Sequence, residues 1–334
     1  MSANPCLNPH SWFGHDLVLS NPGHGSCAIE PGSILIWLGK IDAQGIVLHY
    51  MAEPSVLTVI PVLNEVTHLD RCLQSIRSQT LPSNRHRILV LDGGSTDGTR
   101  EIILQHVRES ISDDGPVVEL LENPGVHVPH ARNIALKHVE HETHMFEIIG
   151  HAWAPPDHLE NRLAELQEVE MEIGKRIGSM GTKIIPEGAD GSWQEASIEA
   201  LLSSPLGGSG QFARFKGRSI AESPAFCLHN VEAVLDVNGW DERWIVGQDR
   251  DLNLRIAEAG WPVMRSDVSY LHMAKRRSFS SLWGMGHRYG YWRARQASIS
   301  VTRLRAREFL PWIGLLAVVC GFLISSEFEE LNQI

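Results

Sequence analysis

Apolar and polar positions fall in alternating blocks along the chain, and the block from Val56 to Thr99 sets the pattern for the rest. Val56-Leu57-Thr58-Val59-Ile60 is an unbroken, largely β-branched run closed by Pro61, as expected of a strand buried on both faces. After Pro61-Val62-Leu63-Asn64-Glu65, the residues Leu69, Cys72, Leu73 and Ile76 recur at i, i+3, i+4 and i+7. That spacing draws one apolar stripe along a helix whose other side carries Asp70, Arg71, Gln74 and Arg77. Ile88-Leu89-Val90-Leu91 is the next buried strand, and it delivers the loop Asp92-Gly93-Gly94-Ser95-Thr96-Asp97-Gly98-Thr99 to its carboxyl end.

The same alternation continues downstream. It predicts a helix from Thr99 to about Arg108, a strand at Val117–Leu121, a turn at Asn123-Pro124-Gly125, a helix over Pro129–His138 and a strand at Met145–Ile149. A helix follows with Leu159, Leu163 and Leu166 on one side, then a strand at Ser179–Ile185, a helix from Trp193 to about Ser203 and a strand at Phe226-Cys227-Leu228. Val231–Asp236 reads as a short helix, and Leu252, Ile256 and Ala259 line a longer one that ends at Gly260. Val268–Leu271 is the last strand. Strands and helices alternating at these lengths indicate an α/β domain with a mostly parallel central sheet covered on both faces. In such a sheet, ligands bind beyond the carboxyl ends of the strands.

Composition and charge narrow the function. A net charge of −11 over 334 residues argues against general nucleic-acid binding. The cations are unevenly spread, however: between Arg265 and Arg307 lie Lys275, Arg276, Arg277, Arg288, Arg293, Arg295, Arg303 and Arg305, with Asp267 as the sole acid. A basic end of this kind suits phosphate groups or an anionic membrane surface. Phe309–Ile324 is almost wholly apolar, slightly short of the ~20 residues that span a bilayer. Arg303, Arg305 and Arg307 precede it and Glu327, Glu329 and Glu330 follow, so a span over about 309–325 would leave the preceding domain in the cytoplasm; a buried core helix is the alternative. The five cysteines are scattered, form no zinc or disulfide pattern and fit a reducing compartment. Residues 1–50, rich in Asn, Pro, Gly, Ser and His in their first half, read as an extension outside the domain, either loosely ordered or untranslated with a start at Met51. The expected division is therefore 1–50, an α/β domain over 51–295, and a juxtamembrane and membrane segment over 296–334.

Two acidic stretches carry candidate chemistry. Asp92-Gly93-Gly94-Ser95 combines a carboxylate at a strand end with paired glycines that let a ligand approach the backbone, although such loops also serve simply to cap helices, here through Asp97. Asp241-Glu242 and Gln248-Asp249 form the second stretch, the latter at a helix start. Asp249 and Asp251 lie two residues apart, so at most one of them caps the helix while the other points away.

Taken in order, the strand, Pro61–Glu65, the helix, the next strand and Asp92–Thr99 resemble the opening half of family 2 glycosyltransferases, which have the GT-A (Rossmann-like) nucleotide-sugar-binding fold. The resemblance runs from about Val56 to Arg293 and is nearest to succinoglycan-type membrane glycosyltransferases, through Ser204-Pro205-Leu206-Gly207 and Arg288-Tyr289-Gly290-Tyr291-Trp292-Arg293. It implies that Pro61, Glu65, Asp92, Gly93 and Arg132 surround a nucleoside-diphosphate sugar, that Asp249 is the catalytic base of an inverting hexosyl transfer, and that Gln248 and Asp251 lie on the acceptor or diphosphate side. The implied acceptor is a lipid-linked or growing glycan at the membrane. These enzymes usually place Asp-x-Asp or Asp-Ala-His after the fourth strand to hold Mg²⁺ or Mn²⁺. This chain has Ile149-Gly150-His151 there, which leaves His151 and His272 as the candidate metal ligands, metal dependence open, and Arg276 and Arg277 as alternative cations for the leaving diphosphate. A catalytically silent, glycan- or nucleotide-binding relative is one rival reading, motivated by the missing acids. A sugar nucleotidyltransferase is another, although Pro61–Glu65 lacks the glycine-rich, Arg-containing loop that such enzymes carry.

Overall fold

The computed structural model describes residues 36–38, 48–50, 53–187, 192–203, 214–274 and 278–299. The segment 309–325, the Ser204–Gly207 motif, Arg276, Arg277 and most of residues 1–50 lie outside the described residues. The chain divides into two compact units, Met1–Ala52 and Glu53–Ile334. In the first, β1 (Ile36–Leu38) pairs antiparallel with β2 (Leu48–Tyr50).

The second unit is built from β3 (Val56–Val62), α1 (Leu69–Arg77), β4 (His86–Asp92), α2 (Thr99–Ser112), β5 (Val117–Glu122), α3 (Val128–Lys137) and β6 (His144–Glu147). There follow β7 (Ala152–Trp153), α4 (His158–Ile173), β8 (Ser179–Glu187), α5 (Trp193–Ser203), β9 (Ser219–Ile220), β10 (Leu228–Asn230), α6 (Val231–Asp236), α7 (Gln248–Glu258), β11 (Val263–Ala274) and α8 (Phe279–Ile299). Nine strands make one sheet in the order β5-β4-β3-β6-β10-β8-β11-β7, with β9 attached to β11.

This sheet is mixed, which corrects the expectation of a mostly parallel one. β5, β4, β3 and β6 are mutually parallel, as the short helical crossovers dictate. β10 then enters between β6 and β8 and runs antiparallel to both, while β11 is parallel to β8 and antiparallel to β7 and β9. The alternation of strand and helix encodes direction only where each helix is a direct crossover, and β10 arrives from a long irregular approach instead. Phe226, at φ +46°, bends that approach, so β10 starts at Leu228 rather than at Phe226.

Side-chain alternation along β3 sorts the core into two layers. Val56, Ile60 and Val62 join Leu69, Cys72, Leu73 and Ile76 of α1 and Leu159, Leu163 and Leu166 of α4. Leu57 and Val59 face the other way, toward Ala131 and Ala135 of α3 and Leu252 and Ile256 of α7. The strand runs through Pro61, which pairs in register with Leu91, because a proline is tolerated where the ladder is ending. No helix among the described residues is long and apolar enough to cross a membrane.

Candidate active site

The carboxyl ends of β3 and β6, the turn before α3, the N-terminus of α7, the start of β11 and one side of α8 enclose a cleft of about 1490 Å³. Its size exceeds the roughly 300–1,000 Å³ of a pocket for one small ligand, so there is room for two substrates. Pro61, Glu65, His151, Gln248 and Asp249 all line it. Residues nearly 190 positions apart in sequence are thus brought to one surface.

Asp249 sits on the first turn of α7. Gly247 caps that helix in the left-handed region at φ +81°, where a Cβ would lie 2.6 Å from the Gln296 amide nitrogen of α8. The Asp249 Oδ1 accepts the backbone N–H of Arg250 at 2.9 Å, and Asn253 Nδ2 donates to the Asp249 carbonyl at 2.9 Å. Burial pushes the Asp249 carboxyl above the ordinary aspartate range; nearby Glu147 pushes the same way and Arg132 opposes. A carboxylate so tuned is better suited to accept a proton than a solvated one.

Behind Asp249 lies a buried polar group that the sequence reading did not single out. Glu147, 2 % exposed, stands 3.1 Å from Arg132 Nη1 and 3.1 Å from His229 Nε2. Burial pushes Glu147 up, but Arg132 and His229 outweigh it and hold the carboxyl below its usual range. The signal for this group was present: Glu147 is a lone acid inside the otherwise apolar Met145–Ile149 run. Arg132 therefore faces Glu147 and the Trp240 ring rather than the cleft surface, a change from its expected place beside the donor.

Asp92 is likewise set back. It is 1 % exposed, its Oδ1 accepts from Ser95 N and Oγ at 3.0 and 2.6 Å, and its Oδ2 lies 3.3 Å from Arg100 Nη1. Gly93 packs so closely on the turn before α3 that a Cβ would sit 3.2 Å from the Val126 carbonyl oxygen. Gly98, in the left-handed region, is the cap of α2 rather than Asp97, which stands one residue earlier and accepts from Thr99 N at 3.0 Å. Asp251, expected on the acceptor side, is 5 % exposed and bonded to Arg255 Nε at 2.8 Å one helical turn on. It points away from the cleft because two residues along a helix turn a side chain by more than half a circle.

Each metal candidate has a carboxylate partner of its own. His151 Nδ1 lies 2.8 Å from Glu65 Oε1, whereas His272 Nδ1 lies 2.7 Å from Glu187 Oε1 and its ring stacks on Trp153. A Cβ on Gly150 would be 3.0 Å from Glu65 Cγ, so Glu65 fills the space that an acid at position 150 would need. Among the described residues, no group of three or more His, Cys, Asp or Glu side chains is placed to hold a metal ion. One imidazole already bonded to a carboxylate, beside Ile149 and Gly150, does not fit a hard divalent cation that prefers several oxygen ligands.

The mixed α/β sheet, with this cleft at its strand ends, is a GT-A-like glycosyltransferase fold. The solved structure of GalNAc-T7 with UDP, GalNAc and Mn²⁺ shares that fold, with a TM-score of 0.51 and 14 % identity over 69 % of this chain and 45 % of that one. Residues 58–198 match the family model described as glycosyl transferase family 2 and are a domain of that family. The chain is 28 % identical over 277 residues to the succinoglycan biosynthesis protein ExoA of Rhizobium meliloti (strain 1021), covering 82 % of this chain and 79 % of that protein. It is 25 % identical over 205 residues to the dolichyl N-acetyl-alpha-D-glucosaminyl phosphate 3-beta-D-2,3-diacetamido-2,3-dideoxy-beta-D-glucuronosyltransferase of Methanococcus voltae, covering 61 % of each. The match thus spans less than two thirds of the M. voltae protein and less than half of the GalNAc-T7 chain.

Proposed function

We propose that the chain transfers a hexosyl group from a nucleoside-diphosphate sugar to a lipid-linked or growing glycan, with inversion at the anomeric carbon and Asp249 as the base. The observation that carries this reading is the presence of Asp249, with its raised carboxyl pKa, in the same cleft as Pro61, Glu65 and His151. Asp249 takes the proton of an acceptor hydroxyl as that oxygen attacks the anomeric carbon. The bond from that carbon to the diphosphate oxygen breaks, and the nucleoside diphosphate leaves with the electron pair. Glu147 and Arg132 set the basicity of Asp249 from behind, while Asp92 and Gly93 shape the donor end through the loop they anchor.

The M. voltae relative, whose name specifies a dolichyl sugar phosphate, supports a carrier-linked acceptor. The basic C-terminal segment and the exposed Trp283, Tyr289 and Tyr291 of α8 support placement at a membrane surface, with the catalytic domain in the cytoplasm. Incubating membranes that contain the full chain with UDP-, GDP- and dTDP-sugars tests the reading. Hydrolysis or transfer from one donor class is expected, and no turnover of any donor in the presence of a total lipid-linked glycan extract would contradict it.

A further inference from the structure

The cleft differs in chemistry between the early and late chain segments that line it. Its donor-side lining, Pro61 to Glu65 with His151, carries one carboxylate already bonded to an imidazole. Every arginine in the lining comes from residue 214 onward: Arg214, Arg250, Arg265, Arg288 and Arg293. Against these five stand three lining carboxylates, Glu65, Glu222 and Asp249, so the cleft is locally positive in a chain whose net charge is −11. The charges are also oriented. Arg265 donates Nε–H to Ser219 Oγ at 2.9 Å and lies 4.6 Å over the Phe215 ring, and Arg293 Nη1 donates to Gln296 Oε1 at 2.8 Å. Arg288 is exposed, and Tyr289 and Trp292 line the cleft beside it.

Planar guanidinium groups held in this way match phosphate oxygens in a forked, two-bond geometry. Interleaved aromatic rings suit the apolar face of a sugar. We propose that Arg265, Arg288 and Arg293 form a phosphate-binding wall for the acceptor, so that the accepting sugar is recognised together with the phosphate or diphosphate joining it to its carrier. This rests on the transferase reading and adds to it the chemistry of the arginine-bearing part of the lining. Gln296, which accepts from Arg293, donates Nε2 to the Val246 carbonyl at 3.4 Å just ahead of α7, and this places Asp249 beside the wall, where the hydroxyl of a phosphate-linked sugar would have to sit.

The test uses the detergent-solubilised full chain and two kinds of probe, farnesyl phosphate and farnesol for the acceptor end, and UDP and GDP for the donor end. Farnesyl phosphate should bind at least about tenfold tighter than farnesol, with the advantage shrinking as salt rises. The double variant Arg265→Gln/Arg288→Gln should lose that advantage while keeping its nucleotide affinity. Arg288→Ala alone, at an exposed position where folding is not at risk, should lose part of it. Equal binding of the two farnesyl probes by the unaltered chain overturns the inference. So does a matching loss of UDP or GDP affinity in the variants, which would assign the arginines to the donor diphosphate. If nucleotides bind and the phosphate gives no advantage, the transferase reading stands without this wall. If neither UDP, GDP nor any nucleotide sugar binds, the transferase reading fails and takes the wall with it.

Discussion

As the proposed base, Asp249 must be ionised to act, and two buried neighbours pull its titration in opposite directions. Activity should therefore fall as pH drops through a value above the ordinary aspartate pKa of about 3.9. Glu147→Gln removes a negative charge that raises the Asp249 pKa, so the acid limb of kcat/KM should move to lower pH. Arg132→Leu removes a positive charge and should move it higher. A limb that stays in place in both variants would remove the buried group from any role in tuning the base. At this scale the sequence was informative about which residue types mattered and less so about which way they pointed. Gln248-Asp249 was legible from its place at a helix start. That Asp251 points away from Asp249 was legible from helix geometry, but which of the two faces the cleft depends on how the helix packs, which sets Asp251 against Arg255. Arg132 and Asp92 were legible as polar residues of the right segments, but their burial against Glu147 and Ser95 depends on contacts made across the sheet or within a folded loop.

Among the elements, the first half of the sheet was readable because each strand is followed by its own crossover helix, and β3 through β6 carry the periodicities that such packing requires. The second half was not, since the direction of β10 is decided by its pairing with β6 and β8 rather than by its three residues. The turn from β6 into β7 holds the element most unlike the family pattern. There Glu65, reaching from the β3 exit, bonds His151 and occupies the space beside Gly150. Ile149 and Gly150 offer no side-chain oxygen, so sugar transfer should survive EDTA in substantial part. Complete loss on chelation, restored by Mn²⁺ or Mg²⁺, would show that His151 exchanges Glu65 for a cation when the donor binds.

For the molecule as a whole, folding depends on burying several polar groups in the neutral state. His86, bonded to Thr58 at 2.8 Å, and His144 are both pushed down to about 3, chiefly by burial. Their folded pKa values lie below the unfolded value of about 6.5, so between those limits the unfolded chain binds more protons. Stability should be full above about pH 6.5 and decline as pH falls, by about 1.4 kcal/mol per pH unit for each histidine. Denaturant titrations at pH 7, 6 and 5 measure this, and a His86→Asn variant should show a shallower decline. A pH-independent midpoint across that range would contradict the buried neutral state.

The proposed mechanism turns on one atom pair, an Asp249 carboxylate oxygen and the proton of an acceptor hydroxyl. Asp249→Asn keeps the shape of that side chain and removes its basicity. With the donor sugar identified, the direct measurement pairs the transfer rate of this variant with calorimetry of donor binding on the same preparation. The expected result is a rate lower by about 10²- to 10⁴-fold with donor affinity nearly unchanged, because the base acts on the acceptor and not on the nucleotide. Unchanged turnover in Asp249→Asn would contradict the account, whatever the donor proves to be.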